Sequence, residues 1–450
     1  MNIRDLNGKN VCILGYGKEG QATLRALEKY APTCEITIAD RDESIPKPVH
    51  KHWLQLGTGW LENLGKFDVL IKSPGIPPSV IVSAFQQPTT NNKQPANELT
   101  SQRANQLTTT SATQIFLDSI KDSGATVIGV TGSKGKSTTA SLIHAILKAA
   151  GKNSFLLGNI GSPALDALES AAKDTFFVLE MSSYQLMDLT RSPHIAVITS
   201  FFPEHLDYHG TLQNYLEAKK HITSFQTRGD IVFFSADSEG ARSIAQQSSG
   251  RRIPFSAEDA PVTLEETKLI GRHNLRNIAA AFLVSQDFKI PKDIAIEAIK
   301  SFQPLPHRLQ SLGVIDGFEW IDDSISTTPE SAIAALDALG DRVETIFLGG
   351  QDRGYDFSEL GKHLARSSVK TVILFPGSGP EIRKAIKSVK SAATIHEVST
   401  MEEAVGLATQ APNPKSQIPI VLLSPASPSY GMFKNFEERG DQFRSCIFTK

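Results

Sequence analysis

Apolar residues in this chain come in short runs, and glycine, proline or a polar cluster closes most of them. Val11–Leu14 reads as a strand, and a helical stretch, Glu19–Tyr30, follows with apolar positions at Ala22, Leu24, Leu27 and Tyr30. A second strand, Glu35–Ala39, ends at Asp40, and a third, Phe67–Ile71, ends in Ser73-Pro74-Gly75. This alternation of strand and helix patterns predicts βαβ units on a parallel sheet. From Gln86 to Thr110 the chain is rich in Gln, Asn, Thr and Ser, which predicts an exposed loop or linker. A second block opens with a strand at Val127–Val130, a glycine-rich turn and a helix at Ser137–Ala149. It adds strands at Phe176–Leu179, Ile195–Thr199 and Ile231–Phe234. A third block follows Pro304 and Pro306, with strands near Glu319–Ile321, Thr345–Leu348, Thr371–Phe375 and Ile418–Leu422 and helices between them. It closes with an amphipathic helix expected to carry Met432, Phe433, Phe436, Phe443 and Ile447. No internal repeat of solenoid period is present.

Composition narrows the class. A chain of 450 residues accommodates two to four domains at roughly 100–200 residues each. Lys and Arg total 46 against 48 Asp and Glu, so the net charge is −2, a poor match to wrapping nucleic acid. Three cysteines, Cys12, Cys34 and Cys446, make neither a disulfide framework nor a zinc pattern, and they predict a reducing compartment. The start of the chain lacks the pattern of a cleaved leader, and apolar runs such as Ile418–Leu423 fall far short of the roughly 20 residues that span a bilayer. A cytoplasmic protein without membrane insertion is expected.

Two turns of phosphate-binding type stand out. Gly15-Tyr16-Gly17-Lys18-Glu19-Gly20 lies between a strand and a helix, and Asp40 follows about 20 residues on. Such a turn offers backbone N–H groups and a helix N-terminus to a diphosphate, and the carboxylate can accept a hydroxyl hydrogen bond. Ser73-Pro74-Gly75 would face the same crevice. The second turn, Gly129-Val130-Thr131-Gly132-Ser133-Lys134-Gly135-Lys136-Ser137-Thr138, is a variant P-loop, with Val130 where the strict spacing has glycine. Its N–H groups can cradle the phosphates of ATP, Lys136 can reach the β/γ oxygens and Ser137 can hold Mg²⁺. Glu180 closes the strand Phe176–Leu179, where an acid can bind Mg²⁺. His205 and His209 lie with Glu204 and Asp207 after the next strand, as a metal or substrate cluster. Asn274 and Asn277 open an Ala-rich helix, which suits either a nucleobase edge or a helix cap. Arg308 and Asp323, near the start of the third block, suit either a phosphate and ribose clamp or an interdomain ion pair. Lys219, by spacing alone, reads as an exposed helical lysine.

These segments, in this order, resemble the Mur ligases of peptidoglycan synthesis, and the stretch Leu423–Gly440 looks like the C-terminal signature of the glutamate-adding branch. The resemblance implies a three-domain α/β fold. It comprises a Rossmann-like N-terminal domain at 1–112, a central P-loop domain with a mostly parallel sheet at 113–304, and a C-terminal Rossmann-like domain at 305–450. It implies that Gly15, Gly17, Gly20, Asp40, Ser73 and Gly75 bind the UDP end of UDP-N-acetylmuramoyl-L-alanine, with Asn159 on the same substrate. ATP would meet Gly132, Ser133, Lys134, Gly135, Lys136, Ser137 and Thr138. Adenine would lie against Asn274 and Asn277, and phosphate and ribose against Arg308 and Asp323. Two magnesium ions would be held by Ser137, Glu180, His205 and a carbamylated Lys219, which reverses the reading of that lysine as merely exposed. Arg353, Ser429 and Phe436 would hold glutamate, and Thr327 would also bind substrate. The implied enzyme is an ATP-dependent carboxylate–amine ligase, monomeric, without nucleic acid, working through an acyl phosphate.

Three departures from the family pattern lie on the amino-acid side. Ile325 replaces a lysine and Thr328-Pro329 replaces a Thr-Asn ending. Arg353 stands where lysine is usual, and Tyr430 is bulkier than the common neighbour of Ser429. D-glutamate is the family expectation, and L-glutamate, used by some relatives, is the alternative these departures raise. A folylpolyglutamate-synthase-like ligase would lack the Gly15–Gly20 turn. A non-catalytic nucleotide-binding regulator would have no need of Lys136, Glu180, His205 and Lys219 together. An NAD oxidoreductase fused to an ATPase would need a hydride-acceptor site that is not apparent.

Overall fold

A computed structural model describes residues 1–46, 48, 52–86, 107–408 and 417–449. The chain forms two compact units, 1–261 with 275–299, and 262–274 with 300–450. Among the described residues no helix is long and apolar enough to cross a membrane.

The first unit holds two sheets, each wholly parallel. One is built from β1 (Asn10–Leu14), β2 (Glu35–Asp40), β3 (Trp53–Leu56), β4 (Val69–Lys72) and β5 (Thr108–Thr110), in the order β3-β2-β1-β4-β5. The other is built from β6 (Thr126–Thr131), β7 (Asn153–Gly158), β8 (Thr175–Glu180), β9 (Ile195–Ile198), β10 (Ile231–Ser235) and β11 (Arg251–Phe255), in the order β11-β10-β9-β6-β8-β7. Apolar runs rich in β-branched residues and buried on both faces, such as Val11–Ile13 and Ile195–Ile198, make these interior strands. One apolar core serves both sheets, running from Val11, Ile36 and Val69 through Phe116 to Phe177 and Ile198. Within it Phe116 and Phe177 meet edge to face at 5.2 Å.

The second unit holds β12 (Gln310–Ile315), β13 (Phe318–Asp322), β14 (Val343–Gly350), β15 (Thr371–Gly377), β16 (Thr394–Glu397) and β17 (Ile420–Leu423). Their order is β12-β13-β17-β14-β15-β16, with only β12 antiparallel to its neighbour. Successive residues of the interior strands alternate between two cores. Ile321, Ile346, Leu374 and Leu422 enter one, while Trp320, Phe347, Phe375 and Leu423 enter the other.

Three expectations need correction. Thr108–Thr110, placed in the polar loop, is an edge strand in register with Val69–Ile71, and the rest of that loop, 87–106, lies outside the described residues. Strands β3, β5, β7, β11, β12 and β16 were not expected, and all are sheet edges. The C-terminal helix runs Phe436–Phe448, so Met432 and Phe433 precede it. Asn435 starts it by accepting the Glu438 N–H at 2.8 Å.

A buried polar network sits inside the second unit. Arg439, fully buried, donates to Ser324 Oγ at 3.0 Å, Ser324 O at 2.8 Å and Ser427 O at 3.0 Å. His307 Nδ1 lies 2.7 Å from Asp322 Oδ2, and a Cβ on Gly440 would fall 2.1 Å from that same nitrogen. Asp323 accepts from Ser326, from Ser424 at 2.8 Å and from the Leu309 N–H at 3.1 Å. Burial raises the Asp323 carboxyl from 3.8 to about 7, against the pull of those three donors. His307 is raised above 6.5, chiefly by its bond to Asp322.

Two outcomes follow from these packings. In Gly20→Ala the new methyl would meet Gly15 O at 2.1 Å, a backbone atom, whereas Gly17 faces open space. Gly20→Ala should therefore cost about 1–3 kcal/mol in urea unfolding and Gly17→Ala less than about 0.5 kcal/mol. Equal losses would contradict the packing. For Asp323 and His307 alike, the folded form keeps a proton that the unfolded chain has lost. Stability therefore falls as pH rises, from about 4 to about 7 for Asp323 and above 6.5 for His307. Asp323→Asn should flatten the decline in the lower window, read from urea midpoints across pH. A slope unchanged from wild type would mean that Asp323 ionises normally.

Candidate active site

Because the strands of each sheet in the first unit run the same way, their C-terminal ends deliver the loops to one edge. At the end of β1, Gly15 turns with φ 89°, and a Cβ there would fall 2.8 Å from Ser73 Oγ. Ser73 Oγ donates to Gly15 O at 2.9 Å. Asp40 Oδ2 accepts the Tyr16 N–H at 2.6 Å and Oδ1 the Asp42 N–H at 2.9 Å. Both oxygens of Asp40 thus hold backbone, and a ligand hydroxyl would have to share one of them. Gly17, the N-cap of the helix Lys18–Tyr30, and Gly75 are exposed, while Gly20 packs beneath the turn. Glu19 accepts from Gln185 at 2.6 Å. Burial raises its carboxyl, and the Gln185 amide and the Lys72 charge oppose that rise.

The second turn leads from β6 into the helix Lys136–Ala149, with Gly135 as a left-handed N-cap at φ 88°. A Cβ on Gly132 would fall 2.1 Å from Thr199 Oγ1, and one on Gly135 would fall 2.5 Å from Asn277 Oδ1. Neither position tolerates a side chain. The N–H groups of Ser133 and Lys134 are bound by Ser200, to its O at 3.0 Å and its Oγ at 2.9 Å. Thr199 Oγ1 donates to Lys134 O at 2.6 Å. Lys136 Nζ donates to Gly132 O at 3.0 Å and Ser133 O at 2.8 Å, and Lys134 Nζ pairs with Glu204 at 2.7 Å. Ser137 is buried and Thr138 half-buried in the helix's first turn. Asn277 Oδ1 accepts from Thr139 Oγ1 at 3.2 Å, which sets that amide against the P-loop. Asn274 donates to Ile270 O at 2.8 Å.

Lys219 is not on the surface. It is 1% exposed, donating to Gly132 O at 2.9 Å and Thr131 Oγ1 at 3.3 Å, with the Tyr215 ring centroid 4.9 Å away. Burial above all, then repulsion from Lys136, drives its pKa well below the ordinary lysine value, against attraction by Glu204 and Glu180. Glu180, also 1% exposed, accepts from Asn159 Nδ2 at 3.1 Å through Oε1, while its buried Oε2 has no hydrogen-bond partner. The Asn159 N–H also bonds Glu180 O at 3.0 Å, so Asn159 is tied to Glu180. His205, at φ 57°, starts the short helix Leu206–His209. Its ring lies 5.1 Å from that of Tyr184 and 6.1 Å from that of Tyr215, and Tyr184 lies 4.2 Å from Tyr208 and 5.5 Å from His209. Among the described residues no three His, Cys, Asp or Glu side chains gather as a metal site. The implied set has only two such residues, Glu180 and His205.

In the second unit Arg308 is half-buried, and Asp323 is enclosed by its three donors. Ser429 is buried, Thr327 and Phe436 are half-buried, and Arg353 is exposed with Nε 3.3 Å from Gln351 Oε1. Thr328 has a local reason to be there. It caps the helix Pro329–Leu339 in a reciprocal box with Ser331, and Pro329 suits the first helical position. The tyrosines 184, 208 and 215, together with Lys72 and Arg439, were missed in sequence. Their only local sign was a polar group beside or within an otherwise apolar segment.

Residues 130–264 match the Mur ligase middle domain, and residues 307–426 the glutamate ligase domain of the Mur ligases. The chain is 34% identical to a UDP-N-acetylmuramoylalanine–D-glutamate ligase of Symbiobacterium thermophilum, over 98% of this chain and 98% of that one. It is 32% identical to a UDP-N-acetylmuramoyl-L-alanine–L-glutamate ligase of Xanthomonas euvesicatoria pv. vesicatoria, over 98% of this chain and 96% of that one. The crystal structure of a UDP-N-acetylmuramate–alanine ligase from Thermotoga maritima shares the fold, with TM-score 0.59 and 16% identity over 98% of this chain and 99% of that one. Identity at the level of the first two, sustained along almost the whole chain, reflects common descent, and the chain belongs to the Mur ligase family.

Proposed function

We propose that this chain joins glutamate to UDP-N-acetylmuramoyl-L-alanine at the expense of ATP, and that the enantiomer it takes is L-glutamate. The observation that carries the ligase reading is Lys219, an amine buried against the P-loop carbonyl of Gly132, near Lys136 and between the charges of Glu180 and Glu204. Burial and the nearby Lys136 charge disfavour the ammonium there and favour the neutral amine, which is the form that combines with carbon dioxide. A carbamate on Nζ would turn this position from a hydrogen-bond donor into an acceptor. Glu180 Oε2, buried and unbonded, supports the same reading, because a cation would satisfy it. Ser137, Glu180, His205 and the Lys219 carbamate would hold magnesium, which when bound supplies charge neutralisation on the phosphates.

The chain's own groups then divide the work. The Gly15–Gly20 turn holds the UDP end and fixes the alanine carboxylate relative to the P-loop. The carboxylate oxygen attacks the γ-phosphorus of ATP, the bond to the β-phosphate oxygen breaks, and ADP leaves an acyl phosphate. Lys136, within reach of its own loop carbonyls, turns its ammonium to the transferring phosphoryl oxygens. The neutral glutamate amine attacks the acyl carbon to give a tetrahedral intermediate, its nitrogen loses a proton to solvent, and phosphate leaves with the bonding pair of the C–O bond. Arg353, Ser429, Thr327 and Phe436 would hold the glutamate. A bidentate guanidinium at 353 and the bulk of Tyr430 beside Ser429 would reshape the pocket relative to the D-adding pattern, which supports the L form.

Phosphate release from UDP-N-acetylmuramoyl-L-alanine, ATP and Mg²⁺ should be at least about tenfold faster with L- than with D-glutamate, a gap of about 1.4 kcal/mol. A preference for the D form would reverse the enantiomer assignment, and no release with either would end the ligase reading. Lys219→Ala should lose activity by about 100-fold or more and recover part of it with a small carboxylate such as formate. Wild-type protein in ¹³C-bicarbonate should show a carbamate carbon by NMR that the variant lacks. Full activity in Lys219→Ala would refute the carbamate.

A further inference from the structure

The loop Ser73–Ile76 is held from two sides. Ser73 Oγ ties it to the first glycine turn through Gly15 O at 2.9 Å. On the other side, Tyr208 donates its hydroxyl to Pro74 O at 2.9 Å and Ile76 O at 3.1 Å. Ile76 O also accepts from Lys72 Nζ at 3.2 Å, and Lys72, 2% exposed, lies 2.8 Å from Asp188 Oδ2. Burial, with the charge of Asp188, raises the Tyr208 phenol above its ordinary value, so it serves as a donor at neutral pH. Tyr208 ends one turn after His205, its N–H bonding to His205 O at 3.1 Å, and its ring packs on Tyr184 at 4.2 Å. Tyr184 in turn packs on His205 at 5.1 Å, and the next residue, Gln185, reaches back to Glu19 of the glycine turn at 2.6 Å. Hydrogen bonds and ring contacts therefore run without a gap from the first glycine turn to the turn that carries His205.

We propose that Tyr208, with the Lys72–Asp188 pair, is a positioning latch that couples occupancy of the UDP-side glycine turn to nucleotide binding at the P-loop. It rests on the assignment of that turn to the UDP substrate. A ligand that presses on Gly15 and Ser73 shifts the Ser73–Ile76 loop, and the Tyr208 hydroxyl carries that shift to the His205 turn, while the Lys72–Asp188 pair fixes Ile76 O. The polar contacts of these three side chains are to loop carbonyls and to one another. Their effect is on the linkage between two binding events, which is reciprocal for binding free energies.

Calorimetry on the whole chain tests this, with ADP and Mg²⁺ titrated in the absence and presence of saturating UDP-N-acetylmuramoyl-L-alanine. In wild type the second ligand should bind about tenfold tighter than it does alone, within the usual range of such couplings. Tyr208→Phe keeps the ring and loses the hydroxyl, and Asp188→Asn keeps the shape and loses the charge. Each should cut the coupling to below about threefold while either ligand alone binds within about twofold of wild type. Coupling unchanged in both variants, or a wild type with no coupling, overturns the latch and leaves the ligase reading intact. Failure of wild type to bind the UDP substrate at all overturns the substrate assignment and the latch with it.

Discussion

Everything at the candidate site depends on the strands of the first unit running in one direction. In a parallel sheet every C-terminal strand end meets the same edge, so the neighbouring strands β9, β6 and β8 deliver the Ser200 loop, the P-loop and Glu180 to it side by side. Ser200 then closes on the P-loop backbone, and Glu180 receives Asn159 from the end of β7. The helix Leu212–Ser224 needs only to lay one side chain, Lys219, under this edge to complete it.

That edge is short of compensating hydrogen bonds. A buried lysine pressed toward its neutral form, a carboxylate oxygen with no hydrogen-bond partner, and a second lysine close by each carry a cost in a dry interior. Local cost of this kind concentrates where a protein binds charged ligands, since the ligands supply the missing partners. The second unit shows the contrast. There Arg439 and Asp323 are just as deeply buried, yet each has its full set of neighbours, and they hold the fold.

Interior and edge strands differed in legibility. Each interior strand of the three sheets, from β1 to β17, could be read from its apolar run, because both faces are buried. None of the six edge strands could. Trp53–Leu56, Thr108–Thr110 and Arg251–Phe255 carry mixed or exposed side chains, and their strand state comes from the neighbour they pair with. Helices with clear punctuation were found to within a residue or two, and the C-terminal one was extended too far because Phe433 is apolar for packing and precedes the cap at Asn435.

By itself the sequence determined the parallel α/β class, the two glycine turns and the strand-end acid Glu180, because glycines at fixed spacing and short apolar runs act locally. Tertiary structure alone decided the environment of Lys219, which spacing by itself reads as a surface lysine and which the fold lays beneath the P-loop. It also decided that Asp40 caps its own turn, that Asp323 is enclosed, and that Tyr208 bridges to a loop 132 residues away along the chain. Burial and partnership are properties of space, and a side chain's chemistry follows from them as much as from its identity.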